Sequence, residues 1–587
     1  MVKRGSWFRD LAILTLLLGS LFGIGLGKRA LWSPDEGRYS EIAREMVVTG
    51  DYLTPHLNGV EFFAKPPLFF WLQSVAIKAF GLNEWSLRLW PALFALLCCL
   101  AVYTGGRKLY GRRTGLLAAV VLATSGLHYA MSRVANLDMG LSALLTCALL
   151  AFLLGTRAPP GRQRRLAMWV FFIFAGFAVL EKGLIGIFLP ALIIATWIFC
   201  LGDWRMVKTL YLPSGLAIFL LIAAPWHVLI AAANPEFLNH YFIGEHVQRF
   251  LFKNGPLDHP WTFLPVLLIG LFPWTVFLSP AVKHSLLPSL RPRHGHREAI
   301  FLSIWAGWVL LFFSLSSAKV IPYILPMFPP LALLIGRYFA AIWKRPNPEG
   351  IRAVYWSFLI TAIILFTLGL KGPQHYLERY SNWPSLEVPA DDTTLPSTDL
   401  IHYPDLVQLQ PYMFSQSVIL VIGALATILL GKRHGFLAAF SALGLTAAFF
   451  LIVLNSSLPI FDGRRSIKDL AVALKPRLQP NDEVASYHAY YQDLPLYLQR
   501  HITRVGWLGP FDRGDEDGNQ RANADAIFWL QWDGPEQIYV LTDRSNYTRL
   551  RKDVNRRYYL VAQNDYEVVF SNKASATAAP LRAIGEN

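Results

Sequence analysis

Apolar and polar positions come in long blocks along this chain. Apolar runs occupy 11–27, 85–104, 115–132, 137–154, 168–181, 183–200, 209–231, 261–281, 299–316, 320–341, 352–370, 413–430 and 436–455. A run of that length with few charges crosses a hydrocarbon core as a helix. The pattern therefore predicts an α-helical polytopic membrane protein with about thirteen transmembrane helices. Near residue 460 the pattern changes. Glu483–Tyr487, Ile502–Val505 and Gln537–Thr542 read as strands, and Ser466–Lys475, Asp493–Arg500 and Ser545–Asn555 as helices between them. Tyr558–Ala562 and Tyr566–Ser571 close the sheet as a hairpin. The expected division is a transmembrane domain over 1–459 and a C-terminal α/β domain over 460–587.

The first polar block, Ser33 to Trp71, follows the opening apolar run. Ser33 suits an N-cap, Pro34 a first helical residue, and Glu36 the far side of a capping box. Gly50 suits the left-handed residue that ends a helix. Tyr39, Ile42, Met46 and Val47 share one stripe, which predicts an amphipathic helix lying in the membrane interface. A second short interfacial piece is expected near Pro66–Phe80.

Charge sets the topology. The net charge is +15, with only 16% of residues charged and 54% hydrophobic. The basic residues collect in alternate short loops: Lys3/Arg4/Arg9, Arg107/Lys108/Arg112/Arg113, Arg157/Arg162/Arg164/Arg165, Arg205/Lys208, Lys283/Arg291/Arg293/Arg297, Lys344/Arg345/Arg352 and Lys432/Arg433. That distribution suits the cytoplasmic leaflet of a membrane and argues against nucleic acid. It places the N-terminus in the cytoplasm, with Ser33–Trp71 and the tail on the opposite face. The segments 232–260 and 371–412, the latter expected to be a long irregular loop, share that face. The first run is expected to remain as a span, because no small-x-small cleavage site follows it. All four cysteines lie inside apolar runs, as buried small hydrophobes rather than a disulfide framework or zinc site.

Several charged residues gather at the outer ends of spans, where a charge must be paired or functional. Two readings stand open for each. Asp35 either caps a helix or serves as a carboxylate for chemistry. Asp138 either complements a helix N-terminus or is a second carboxylate facing Asp35. Lys182 either pairs with Glu181 in a tight turn or points its charge at an anionic headgroup. Lys65, before Pro66-Pro67, either snorkels or binds phosphate. The prolines around Tyr323 break the start of a span, so Tyr323 and Lys319 either line a cavity or belong to an aromatic belt. His240, Glu245, His246 and Arg249 carry no zinc-protease spacing, and Arg249 is favoured as a phosphate contact.

These pieces together resemble the polyprenyl-phosphate-sugar-dependent glycosyltransferases of the C-type (GT-C) membrane fold. The closest likeness is to the lipid A 4-amino-4-deoxy-L-arabinose transferases, with protein O-mannosyltransferases as cousins. The carrying residues are Asp35-Glu36-Gly37-Arg38-Tyr39, Gly50-Asp51-Tyr52, Pro55-His56-Leu57, Lys65-Pro66-Pro67 with Trp71, Leu137-Asp138-Met139, Glu181-Lys182-Gly183, and Tyr323-Ile324-Leu325-Pro326 with Pro329-Pro330. The resemblance implies Asp35 as catalytic carboxylate and Asp138 as its partner. It also implies that Lys65, Arg38, Tyr39, Lys182, Arg249 and Tyr323, with Lys319 near them, surround the donor phosphate. One residue departs from the family: Ala64 stands where the aminoarabinose enzymes carry a glutamate before the lysine. That removes an expected metal ligand and leaves the sugar and acceptor open.

The expected function is inverting transfer of a sugar from undecaprenyl phosphate to an acceptor, lipid A foremost, at the outer face of the bacterial inner membrane. No cofactor is required, and a divalent cation is the alternative left open. The expected partners are the polyprenyl-phosphate-linked sugar, the acceptor and membrane lipids, with the protein a monomer. Transfer to a protein hydroxyl or another glycan is the runner-up. A lipid or sugar transporter is the alternative class, disfavoured by charges confined to one face and by the lack of an inverted repeat.

Overall fold

A computed structural model describes residues 4–251, 259, 261–286, 297–343, 348–370, 403–506, 518–552 and 556–574. The helices begin with α1 (Arg4–Gly23), α2 (Asp35–Thr49), α3 (Leu68–Phe80), α4 (Glu84–Tyr110), α5 (Arg112–Ala123) and α6 (Gly126–Met131). They continue with α7 (Asp138–Arg157), α8 (Arg162–Lys182), α9 (Ile185–Leu201) and α10 (Leu212–Ala233). Further on, Arg297–Leu315, Phe328–Ile342, Pro348–Leu370, Tyr403–His434 and Phe436–Ser457 are helical. Among the described residues, eight helices are long and apolar enough to cross a membrane, or nine with one bent pair. The chain is a multi-pass membrane protein.

Every one of the thirteen apolar runs falls on helix, yet not every run is an unbroken span. The run at 115–132 divides between α5 and α6, where the hydroxyls of Thr124 and Ser125 turn back onto the carbonyls of Val120 and Val121. The run at 261–281 bends by 104° between Phe263–Gly270 and Trp274–Leu286, with Pro273 in the break. The prolines at 322 and 326 leave Ile321–Met327 as a 3-10 turn before the regular helix starts, as the sequence predicts. The expected loop 371–412 lies outside the described residues up to 402, and from Tyr403 it is helix.

The bundle is organised around α7, 83% buried over its apolar window, whereas α10 is only 17% buried and faces outward. α1 is pinned at its start by Asp10, whose carboxylate accepts from Arg107 at 2.9 Å and Arg112 at 2.6 and 2.7 Å.

The helix α2 corrects the capping-box expectation. It starts at Asp35 with no side-chain cap. The Ser33 hydroxyl donates instead to Asp493, far along the chain. Glu36 turns inward, accepting from Arg88 at 2.7 and 2.9 Å, from Arg29 at 2.9 Å, and from the backbone N–H groups of Trp32 and Ala135. Those two arginines hold its carboxyl down at about 2 against the opposing pull of burial. Gly50 ends the helix with φ 75°, as expected. The stripe of Tyr39, Ile42 and Met46 packs on Leu57, Phe62, Phe69 and Phe70 rather than on lipid. Its polar face is covered too: Glu36, Ser40, Glu41, Arg44 and Glu45 are all buried. So from Glu36 to Met46 α2 is packed on both its apolar and its polar side, while Asp35 at its start and Val48 near its end stay exposed.

A small hairpin follows α2, with β1 (His56–Leu57) antiparallel to β2 (Val60–Glu61). The tail forms one five-stranded sheet from β3 (Glu483–Tyr487), β4 (Thr503–Val505), β5 (Ile538–Asp543), β6 (Tyr559–Gln563) and β7 (Glu567–Ser571). The order is β4-β3-β5-β7-β6, parallel across the first three and antiparallel through the closing hairpin. Alternate side chains feed two cores. Val484, Tyr539, Leu541 and Val569 face one side, and Ala485, Val540, Val568 and Phe570 the other. The second core is covered by a helix over Gly518–Trp532, absent from the sequence reading, through Phe528 and Trp532.

Candidate active site

Six chain segments converge at one end of the bundle. The antiparallel pair α7 and α8 bring Asp138, the first residue of one, to Lys182, the last of the other, as an ion pair. Lys182 Nζ also sits 4.6 Å above the Tyr323 ring. Tyr323 comes from the proline-broken 3-10 turn, and its hydroxyl accepts from Arg249 at 3.4 Å. Arg249 follows a π-helical stretch, Asn239–Gln248. Its guanidinium pairs with Glu245 at 2.8 Å, and the same carboxylate oxygen holds Lys65 Nζ at 2.9 Å. Lys65 stands just before Pro66-Pro67 and α3, with a side chain only 13% exposed.

The first turn of α2 closes the other side of the site. Asp35, with a side chain 48% exposed, lies 3.8 Å from Arg38. The buried Tyr39 hydroxyl is pushed far above its ordinary range by burial, with Asp35 and Asp138 raising it and Arg38 and Arg249 opposing. Lys65 is brought down to about 8, first by burial and then by the charges of Arg249 and Lys182, while Glu245 resists. The site thus holds four cations, Lys65, Arg38, Lys182 and Arg249, within reach of three carboxylates, Asp35, Asp138 and Glu245. Buried charges left unpaired are strongly unfavourable, so the pairing is what lets them collect there.

Three sequence readings change. Lys182 takes Asp138 as its partner, so the turn pair with Glu181 does not form. Glu181 is instead wholly buried against Gly140 of α7, and neither carboxyl oxygen has a hydrogen-bond partner among the described residues. Asp138 spends its carboxylate on Lys182 rather than standing free beside Asp35. Lys319 does not join the cluster: its buried ammonium donates to the Ser316 carbonyl at 2.8 Å and so closes its own turn. Among the described residues no set of three His, Cys, Asp or Glu side chains is assembled to hold a metal. The side chain of His246 lies outside the described residues.

The family described as dolichyl-phosphate-mannose-protein mannosyltransferase matches residues 13–242, and the aminoarabinose transferase C-terminal domain matches 470–572. The chain is 33% identical over 387 residues to an undecaprenyl phosphate-alpha-4-amino-4-deoxy-L-arabinose arabinosyl transferase of Edwardsiella ictaluri, covering 65% of this chain and 67% of the relative. The chain belongs to the aminoarabinose transferase family. The counterpart in Pectobacterium carotovorum is 32% identical over 62% of this chain and 66% of its own, so about two thirds of these relatives' length is spanned. The structure of ArnT from Cupriavidus metallidurans bound to undecaprenyl phosphate superposes with a TM-score of 0.82 at 25% identity, covering 96% of this chain and 98% of that one. This family is one of polyprenyl-phosphate-dependent glycosyltransferases of the GT-C membrane fold.

Two site features escaped the sequence reading. Glu245 stands among the histidines in sequence, but its place four residues before Arg249 on a helical stretch makes it the ordinary i,i+4 partner of that arginine. Gln492, which accepts from Arg38 Nε at 2.5 Å, left no local signal.

Proposed function

We propose that this chain transfers 4-amino-4-deoxy-L-arabinose from undecaprenyl phosphate to lipid A, with inversion at the anomeric carbon. The observation that carries the reading is the Lys65–Glu245–Arg249–Tyr323 arrangement, in which two cations and a hydroxyl converge at the end of a membrane bundle. The site lies on the periplasmic face of the inner membrane, as the alternate basic loops indicate. Residues 1–459 act as the transferase domain and 460–587 as a periplasmic domain above it, in a monomer.

In the reaction the acceptor oxygen bonds to the anomeric carbon while the bond from that carbon to the phosphate oxygen breaks. The electron pair leaves on the lipid phosphate, so negative charge grows there. Lys65, Arg249 and the Tyr323 hydroxyl meet it, with Lys182, oriented by Asp138, beside them. Before the donor enters, Glu245 occupies the two cations; the phosphate takes over that role on binding. Asp35 faces the opening. It accepts the proton of a hydroxyl acceptor. Where the acceptor is already a phosphate, no proton is removed, and Asp35 orients the nucleophile. Arg38 and Tyr39 complete the donor side. Ala64 and the mannosyltransferase likeness of residues 13–242 keep a protein or glycan hydroxyl as second acceptor class.

The test is incubation of the purified protein with synthetic donor and lipid A, read by mass spectrometry. A covalent product without any membrane gradient supports the reading, and intact donor refutes it. In that assay Asp35→Asn leaves thermal stability unchanged, because Asp35 makes no cap, and lowers turnover on a hydroxyl acceptor by about 100-fold. The pH profile is a second check. Lys65 loses its proton as pH rises through about 8, so transfer declines across that range. Lys65→Arg removes this alkaline decline because a guanidinium stays charged.

A further inference from the structure

The C-terminal sheet domain touches the site, and its contact has a direction. Arg38 Nε donates to the side-chain oxygen of Gln492 at 2.5 Å, while the Arg38 fork stays 3.8 Å from Asp35, three residues back on α2. An arginine so close to a carboxylate ordinarily closes onto it with two parallel hydrogen bonds. With Nε held from the other side, that closure does not occur, and the Asp35 carboxylate remains half exposed.

Gln492 is itself fixed. It is buried, and the next residue, Asp493, is wholly buried. The Asp493 carboxylate accepts from the Ser33 hydroxyl at 2.9 Å, the Ser466 hydroxyl at 2.8 Å and the Ile467 N–H at 2.9 Å. Between Glu36 and Arg38, Gly37 presses against this loop: a Cβ there would come within 2.7 Å of Asp493. Two further ties hold the sheet domain to the first outer loop. Asn58 and Ile502 exchange a pair of 2.8 Å bonds, and the Tyr497 hydroxyl accepts from the Leu31 N–H at 2.9 Å.

We infer that Gln492 is a positioning residue for Arg38: the C-terminal domain, anchored through Asp493, draws the guanidinium off Asp35 and aims it at the donor phosphate. The inference rests on the proposed donor-side role of Arg38 and adds the domain that sets its orientation. It predicts that the site is incomplete without the tail.

The experiment uses the full-length protein in lipid nanodiscs, with undecaprenyl phosphate as the binding probe and transfer kinetics in parallel. Gln492→Leu keeps the volume and removes the acceptor. Its binding of the probe falls about ten-fold, the size expected for losing a hydrogen bond to a charged group, and transfer falls mainly through KM. Gln492→Glu, which still accepts from Nε, restores most of the loss. In an Arg38→Ala background, Gln492→Leu has no further effect. An equal loss in both backgrounds, or unchanged binding by folded Gln492→Leu, overturns the positioning role. If Gln492→Leu fails to fold, Gln492→Asn, one methylene too short to reach Arg38, makes the same comparison. Failure of the unaltered protein to bind the probe overturns the donor reading itself, and is thereby distinguishable.

Discussion

Lys65→Ala lowers kcat by about 100- to 1,000-fold, the loss typical of removing one preorganised group aimed at developing negative charge. The protein still inserts and folds, because Glu245 keeps its second cation, Arg249, when Lys65 is gone. The size of the effect follows from burial. Lys65 is 13% exposed, and its ammonium is balanced by a single carboxylate, Glu245, plus the Ala64 carbonyl at 2.7 Å. A charge held in that way is already stripped of most of its water, so its attraction for a leaving phosphate is little screened. A single-turnover transfer assay, alongside a thermal-shift measurement of the same sample, separates lost chemistry from lost structure.

Glu36→Gln has the largest expected effect on stability, about 3–5 kcal/mol. The substitution preserves shape and leaves Arg88, 1% exposed in its side chain, and Arg29 without their counter-charge. Arg88 also donates to the carbonyls of Arg29 and Ala30 at 2.6 Å each, so its displacement loosens the whole entry into α2. The pH dependence has a definite sign. The carboxyl is held at about 2, below the unfolded value near 4.5, so its contribution is complete above about 4.5 and is lost as pH falls toward 2. Glu36→Gln removes that acid-side loss along with the stability. Thermal unfolding of detergent-solubilised protein between pH 3 and pH 7 checks both statements.

The parts of this architecture legible in the sequence are those with a local cause. Apolar runs mark helices wherever a segment must satisfy its own backbone in lipid. Gly50 ends α2, and the prolines at 322 and 326 break a span, because each acts on its own few residues. The strands of the tail carry their alternation, and Glu483–Tyr487 appears in the structure with the expected bounds. Lys65, Asp138, Lys182, Arg249 and Tyr323 were legible as candidates because charged and polar groups at span ends are rare enough to require a reason.

What the sequence hides is pairing across distance. Ser33 and Glu36 have the spacing of a capping box, but Ser33 answers to Asp493 and Glu36 to Arg29 and Arg88. A local rule chose the wrong partners because tertiary neighbours outbid it. Glu181 and Lys182 are adjacent and opposite in charge, yet successive helical residues point apart, and only Lys182 reaches Asp138. Lys319 lies just before the turn of Tyr323 but folds back to the Ser316 carbonyl. The union of α2 with the C-terminal sheet spans more than 430 residues of chain and has no periodicity to betray it.

The central claim is that the cation pair bridged by Glu245 is the seat of the donor phosphate. An experimental structure of the protein with undecaprenyl phosphate tests it most directly. The account predicts the phosphate in ion-pair contact with both Lys65 and Arg249, near the Tyr323 hydroxyl, with Glu245 displaced from at least one of its two partners. A phosphate bound elsewhere, with the Lys65–Glu245–Arg249 bridge intact, would contradict it.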